Sequence, residues 1–228
     1  MLTRVGDDIW TVEGPAVPFY GMPYSTRMTV VRLADGALWL HSPVPVSEPL
    51  RRELAALGEV QYLIAPNKLH HLFIQQWLLA FPDARAYAPP GLEAKRPDIA
   101  FAKQLTTQPE PAWSTDIDQS LFTGSALMQE MVFFHKPSKT LIVADLIENF
   151  EPQSLNTWQR VLARLAGILA PNGKTPIDWR LSFIFGKREA RHSLATLLAW
   201  EPENIILAHG ECVFGDAQAF LRKSFAWV

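Results

Sequence analysis

Three apolar runs in this 228-residue chain end on side chains that bind metals. They are Tyr62-Leu-Ile-Ala-Pro-Asn-Lys-Leu-His70-His71, Thr140-Leu-Ile-Val-Ala-Asp145 and Asn204-Ile-Ile-Leu-Ala-His209-Gly-Glu211. Imidazole and carboxylate together suit zinc, and also iron or manganese where the geometry opens to five or six donors. Runs this apolar read as strands buried on both faces, and in layered α/β proteins the loops leaving the carboxyl ends of such strands build sites. Laid side by side, the three runs bring His70, His71, Asp145 and His209 to one point.

The elements that must position these residues read as follows. Strands are expected at Ile9–Val12, Met28–Leu33 and Ala37–His41, the last two joined through Asp35-Gly36, a pair that tolerates the positive φ of a hairpin turn. A helix follows from about Pro45 to Gly58, then the strand Val60–Ala65 and a helix from about His70 to Ala80. Residues 84–88 read as a short strand, Pro89-Pro90-Gly91 as the opening of a short helix, and 97–116 as a long connection. The second half has strands at Ser120–Thr123, Glu130–His135 and Thr140–Ala144. A helix then spans Ser154–Leu169, with Ser154 as its N-cap and Trp158, Leu162 and Leu165 on one face. Further helices at Lys187–Trp200 and Asp216–Lys223 flank the strand Asn204–Ala208. Two halves of strands then helices imply two mixed sheets packed face to face and covered outside by helices, within a single domain, 1–228.

Composition narrows the partners. With 48% hydrophobic residues, 19% charged and a net charge of −2, nothing in the whole-chain balance suggests nucleic acid or an anionic membrane. Small molecules or other proteins are the expected partners, and the oligomeric state is left open. One cysteine, Cys212, excludes an internal disulfide and any cysteine-rich zinc motif, so a metal site must use histidine and carboxylate. The amino terminus lacks the apolar core of a signal peptide, and no apolar run approaches the roughly 20 residues of a membrane span. A cytoplasmic location is the expectation.

The order of elements and motifs resembles the metallo-β-lactamase fold, a four-layer αββα sandwich with a two-metal site along one edge of its sheets. The likeness runs from about residue 5 to 225. Within that superfamily the chain is similar to an uncharacterised bacterial branch, a domain of unknown function. That branch carries a Pro-Asn-Lys-x-His-His segment, here Pro66 to His71, where other members have His-x-His-x-Asp-His.

Residue by residue, the resemblance puts the superfamily's first two histidines on Pro66 and Lys68, its aspartate on His70 and its last motif histidine on His71. A further ligand histidine falls near Ser125. The bridging aspartate matches Asp145, and the late histidine matches His209. One metal position is thus stripped of its imidazoles, while His70, His71, Asp145 and His209 remain for one ion. The expectation is one zinc, less readily iron or manganese, or none. Lys68 is read as a catalytic, electrostatic residue whose ammonium replaces the lost cation beside Asp145.

Two functional readings follow. In the first, the protein is a hydrolase in which a metal-bound hydroxide attacks an ester, amide or phosphoester, the metal lowering the pKa of its water toward ~7. In the second, it is a non-catalytic, metal-free member of the fold that binds a small anion or a protein partner through the same polar residues. A redox role with iron ranks third. Each candidate also has a plain structural use: His70 or His71 as a helix cap, Asp145 as a cap of the following segment, and His209 as a turn residue. His41 reads as a buried histidine, Cys212 as a small buried apolar residue, Glu211 as a hydrogen-bond acceptor near the site, and the tryptophans as packing. The segment Tyr20–Thr26, with its Gly, Pro and two tyrosines, is the candidate lid.

Overall fold

A computed structural model describes residues 1–19, 21–125 and 127–228. Alternation of side chains along its central strands sorts the apolar residues into layers. The first sheet has seven strands in sequence order: β1 (Thr3–Gly6), β2 (Ile9–Phe19), β3 (Met22–Arg32), β4 (Ala37–His41), β5 (Glu59–Ile64), β6 (Arg85–Ala88) and β7 (Phe101–Gln104). The second has five, β8 (Ile117–Phe122), β9 (Glu130–His135), β10 (Thr140–Val143), β11 (Asn204–Leu207) and β12 (Val213–Phe214), in the order β12-β11-β10-β9-β8.

On β4, Leu38 and Leu40 face a core shared with helices α1 (Glu48–Ala55) and α2 (Ile74–Ala80) and with α3 (Leu92–Lys95). Trp39, between those leucines, points the other way, into a core with Phe133, Ile142 and Ile206 of the second sheet. Leu141 and Val143 of β10 and Ile205 and Leu207 of β11 then face helices α6 (Lys187–Ala199) and α7 (Ala217–Ser224). A strand buried on both faces puts successive residues into different cores. The result is the expected αββα sandwich.

Turn chemistry holds where it was legible. Gly36 has φ +88°, and the Asp35 carboxylate accepts from the Ala37 amide at 2.9 Å. Elsewhere the elements shift. A short strand, β7, lies inside the segment read as a connection. Ser154 belongs to a 3-10 turn, while Asn156 caps α4 (Thr157–Ala166) in a reciprocal capping box with Gln159. A further helix, α5 (Ile177–Ser182), was not foreseen. Helix α2 begins at Ile74, which leaves His70 and His71 in the turn before it.

Candidate metal centre

Parallel pairing of β10 with β11 fixes half of the site. Val143 lies opposite Leu207, so Asp145 and His209, two residues beyond each strand end, emerge side by side. The Asp145 Oδ1 to His209 Nε2 distance is 3.0 Å. The third member comes from the first sheet, through the turn after β5. His70 Nε2 lies 3.1 Å from Asp145 Oδ1 and 3.1 Å from His209 Nε2.

Each member is held from behind. His209 Nδ1–H donates to the Ser25 carbonyl at 2.5 Å, which turns Nε2 toward the centre. Arg27 donates to the carbonyls of Leu207 and Gly210 on either side of it. Gly210 has φ +86°, and a Cβ there would stand 2.0 Å from the Asn149 carbonyl oxygen, so only glycine fits that close approach. His70 Nδ1 meets Ser42 Oγ at 2.6 Å. Ser42 has φ 52°, a left-handed backbone that a non-glycine residue adopts at a cost.

Asp145 Oδ2 is taken up by Asn67, whose Nδ2 donates to it at 2.7 Å and to Glu130 Oε2 at 2.9 Å. Asn67 Oδ1 in turn accepts from the Leu69 and His70 amides. Glu130 is fully buried and accepts from the backbone amides of Ala144, Asp145 and Leu146. One amide and one buried carboxylate thus lock the loops that carry His70 and Asp145. The sequence offered a faint signal for Glu130, a charged residue opening the apolar strand β9.

Burial pushes the Asp145 carboxyl upward, but the charge of His70 and hydrogen bonds from both imidazoles outweigh it and hold the group well below the usual range. Burial pulls His70 down, yet the negative charge and hydrogen bond of Asp145, with Glu130 beyond, leave it raised. Glu130 is raised by burial and by the Asp145 charge. Glu148, behind His209, is pushed up to about 8 chiefly by burial.

Two expected residues are turned away. His71 was placed among the ligands, but its Nδ1 accepts from Arg96 Nη1 at 2.8 Å, and burial with the nearby Lys95 and Arg96 charges lowers it to about 4. Adjacent side chains in the turn diverge, and only His70 faces the centre. Lys68 was placed beside Asp145, but it is exposed and its Nζ lies over Gly91, 2.8 Å from where a Cβ would be. The group that meets Asp145 Oδ2 is the Asn67 amide.

The remaining candidates also lie apart. Ser125 Oγ accepts from the Leu127 and Met128 amides and meets Ser182 Oγ. Glu211 is exposed, its backbone engaged by Asn149. His41 is buried and lowered to about 3 by burial, and Cys212 is raised by burial. Tyr20 of the candidate lid lies outside the described residues. The rest of that segment continues β2 and β3 as a hairpin, whose Phe19 and Tyr24 line a cleft of about 260 Å³ above the triad. Its other walls include Val17, Pro43, Leu72 and Phe73.

His70, Asp145 and His209 form, among the described residues, the group whose donor atoms can share a metal ion. Their fit is testable from the edges. Octahedral bonds of about 2.1 Å set neighbouring donors about 3.0 Å apart, whereas tetrahedral bonds of about 2.0 Å set them about 3.3 Å apart. The observed 3.0 to 3.1 Å suits three facial donors of an open site. With His71 elsewhere, three protein donors would leave coordination positions open to water.

Residues 6–161 match the family model described as "Domain of unknown function (DUF4336)". No curated protein matches the chain. Among solved structures, the DIM-1 metallo-β-lactamase exposed to ceftazidime is similar at TM-score 0.69 and 16% identity, over 100% of this chain and 95% of that one. The metallo-β-lactamase from Pontibacter korlensis gives 0.65 and 11%, over 100% and 97%. The rubredoxin oxygen:oxidoreductase from the anaerobe Desulfovibrio gigas gives 0.68 and 14%, over 99% of this chain but 61% of that protein. At such identities the likeness is one of fold, and the fold is that of the metallo-β-lactamases.

Proposed function

Because this chain belongs to the DUF4336 family and has the metallo-β-lactamase fold, we propose that it is a hydrolase using one divalent metal held by His70, Asp145 and His209. The observation that carries the reading is the triangle of donor atoms, with edges of 3.0 to 3.1 Å, at the base of an apolar cleft. An ion bound there supplies two things, acidification of a water toward a pKa of ~7 and polarisation of a substrate oxygen.

The chain's own residues supply the rest. Ser25 and Ser42 set the two imidazole orientations, and Asn67 holds Asp145 so that Oδ1 faces the cleft. The aromatic and aliphatic walls exclude water and accept the apolar part of a substrate. No lysine or arginine lines the cleft, which favours a neutral ester, lactone or amide over a phosphoester. The same lack weakens the metal-free, anion-binding alternative.

Elemental analysis by plasma mass spectrometry tests the proposal. Purified protein is expected to hold about one zinc, iron or manganese per chain, and His70→Ala and His209→Ala are each expected to lose it while keeping their far-UV circular dichroism. A wild-type protein that stays metal-free after refolding with added ions overturns the reading.

A further inference from the structure

Helices on a folded protein turn their apolar stripe inward, because burying it is what docks them. Helix α4 does the reverse. Ala163 is its one buried residue, while Trp158, Val161, Leu162 and Leu165, at i, i+3, i+4 and i+7, form a stripe on the far side of the helix. Leu165 is 69% exposed. The neighbouring α5 has no buried residue. Its Ile177 and Leu181, with Ile184 one turn further on, repeat the outward pattern, and Phe185 beside them is 102% exposed. Arg180 Nη2 donates to the Ala166 carbonyl at 3.0 Å, which ties the two helices together. An apolar surface on this scale marks an interaction site.

Charge selects the occupant. Residues 157–188 hold Arg160, Arg164, Lys174, Arg180, Lys187 and Arg188 against Asp178 alone, a net of +5 in a chain whose total is −2. Among the described residues only Arg188 of these six has an ion-pair partner, Glu189 at 3.5 Å. By helical geometry Arg164 borders the α4 stripe on one side, about 60° from Val161, while Arg160 lies round toward Ala163 and donates to the Leu155 carbonyl at 3.1 Å. A two-fold contact with a second copy would press this surface, cations included, against itself. Apolar side chains including tryptophan, bordered by arginine and lysine, instead match the boundary of a bilayer that contains anionic lipid.

We propose that the α4–α5 face docks the protein onto an anionic lipid surface. Among the described residues no helix is long and apolar enough to cross a membrane, so the contact is peripheral. Whole-chain charge, read as giving no hint of a membrane, conceals this local excess. The face adjoins the cleft: Gln159 Nε2 donates to the Gly21 carbonyl at 3.1 Å, at the tip of the hairpin that carries Phe19 and Tyr24. Docking therefore sets the mouth of an apolar pocket beside the lipid.

Co-sedimentation with phosphatidylcholine vesicles, with and without about 30% phosphatidylserine, tests the proposal. The wild type is expected to bind the anionic vesicles at least roughly fivefold more tightly than the neutral ones, and to be released by about 0.5 M salt. Leu165→Glu/Phe185→Glu, at two exposed positions, is expected to bind at least roughly tenfold more weakly with an unchanged melting temperature. A wild type that does not pellet with anionic vesicles, or a variant that pellets equally well, overturns the proposal. So does light scattering that shows a dimer dissolved by the double substitution, which would assign the face to a second copy.

Discussion

The two oxygens of Asp145 stand in oppositely built surroundings. Oδ1 meets two imidazole nitrogens, at 3.1 and 3.0 Å, below an open cleft. Oδ2 meets the Asn67 amide, which also caps the buried Glu130. On the first side, acceptors and lone pairs converge and call for a cation or a shared proton. On the second, the protein supplies the donor itself. A buried carboxylate needs either an ion or a set of N–H groups. The chain itself supplies the N–H donor on the Oδ2 side, and the proposed metal would supply the other.

Removing the protein's own donor breaks this contrast most severely. Asn67→Leu leaves Glu130 and Asp145 facing each other without the amide between them. It is expected to destabilise the fold by about 3 kcal/mol in urea titration and to lower metal affinity by roughly 10- to 100-fold. An unchanged midpoint would show that the Asn67–Glu130 bridge is not what holds the loops.

Glu148 sharpens the comparison, since it has neither a bound cation nor an amide of this kind. Its Oε2 is buried without a partner, and burial pushes its pKa from 4.5 up to about 8. The folded state therefore keeps a proton that the unfolded chain releases, so stability falls as pH rises between about 4.5 and about 8, by up to about 1.4 kcal/mol per unit. His41 and His71, depressed to about 3 and about 4, contribute stability that is complete above 6.5 and lost only below it. Between pH 7 and 8 the raised His70 contributes a slope of the same sign, so the Glu148 share is read from the difference between the thermal melts of wild type and Glu148→Gln. The wild type is expected to melt lower at pH 8, and Glu148→Gln is expected to reduce that slope. A slope unchanged by the substitution assigns it wholly to another group.

The smallest effect belongs to Lys68. With its ammonium over Gly91 and the Asn67 amide already on Asp145 Oδ2, Lys68→Met is expected to keep full metal content and to change stability by less than about 0.5 kcal/mol. Loss of metal in that variant would restore Lys68 as the electrostatic partner of the site.

Legibility followed the range of the interactions involved. Asp145 and His209 were readable because each sits just past an apolar run, and parallel strands bring such positions together whatever else the chain does. The pair His70-His71 was readable as a pair only. Asn67 and Glu130 are separated by 63 positions, and their hydrogen bond comes from the packing of the loop after β5 against the start of β9. The stripe on α4 had the right period but the wrong direction, since periodicity defines a face without saying what covers it.

By itself, the sequence determined the alternation that buries both faces of the strands, the Asp35-Gly36 turn, and three strand ends bearing donors. These follow from local sterics and from the free energy of burying apolar side chains, which act within a few residues. Tertiary structure alone decided that His70 turns inward while His71 turns to Arg96, that an amide in place of an ammonium meets Asp145, and that α4 shows its apolar face outward. Each of those outcomes depends on which distant backbone lies within hydrogen-bonding or van der Waals reach, and no local pattern carries that distance.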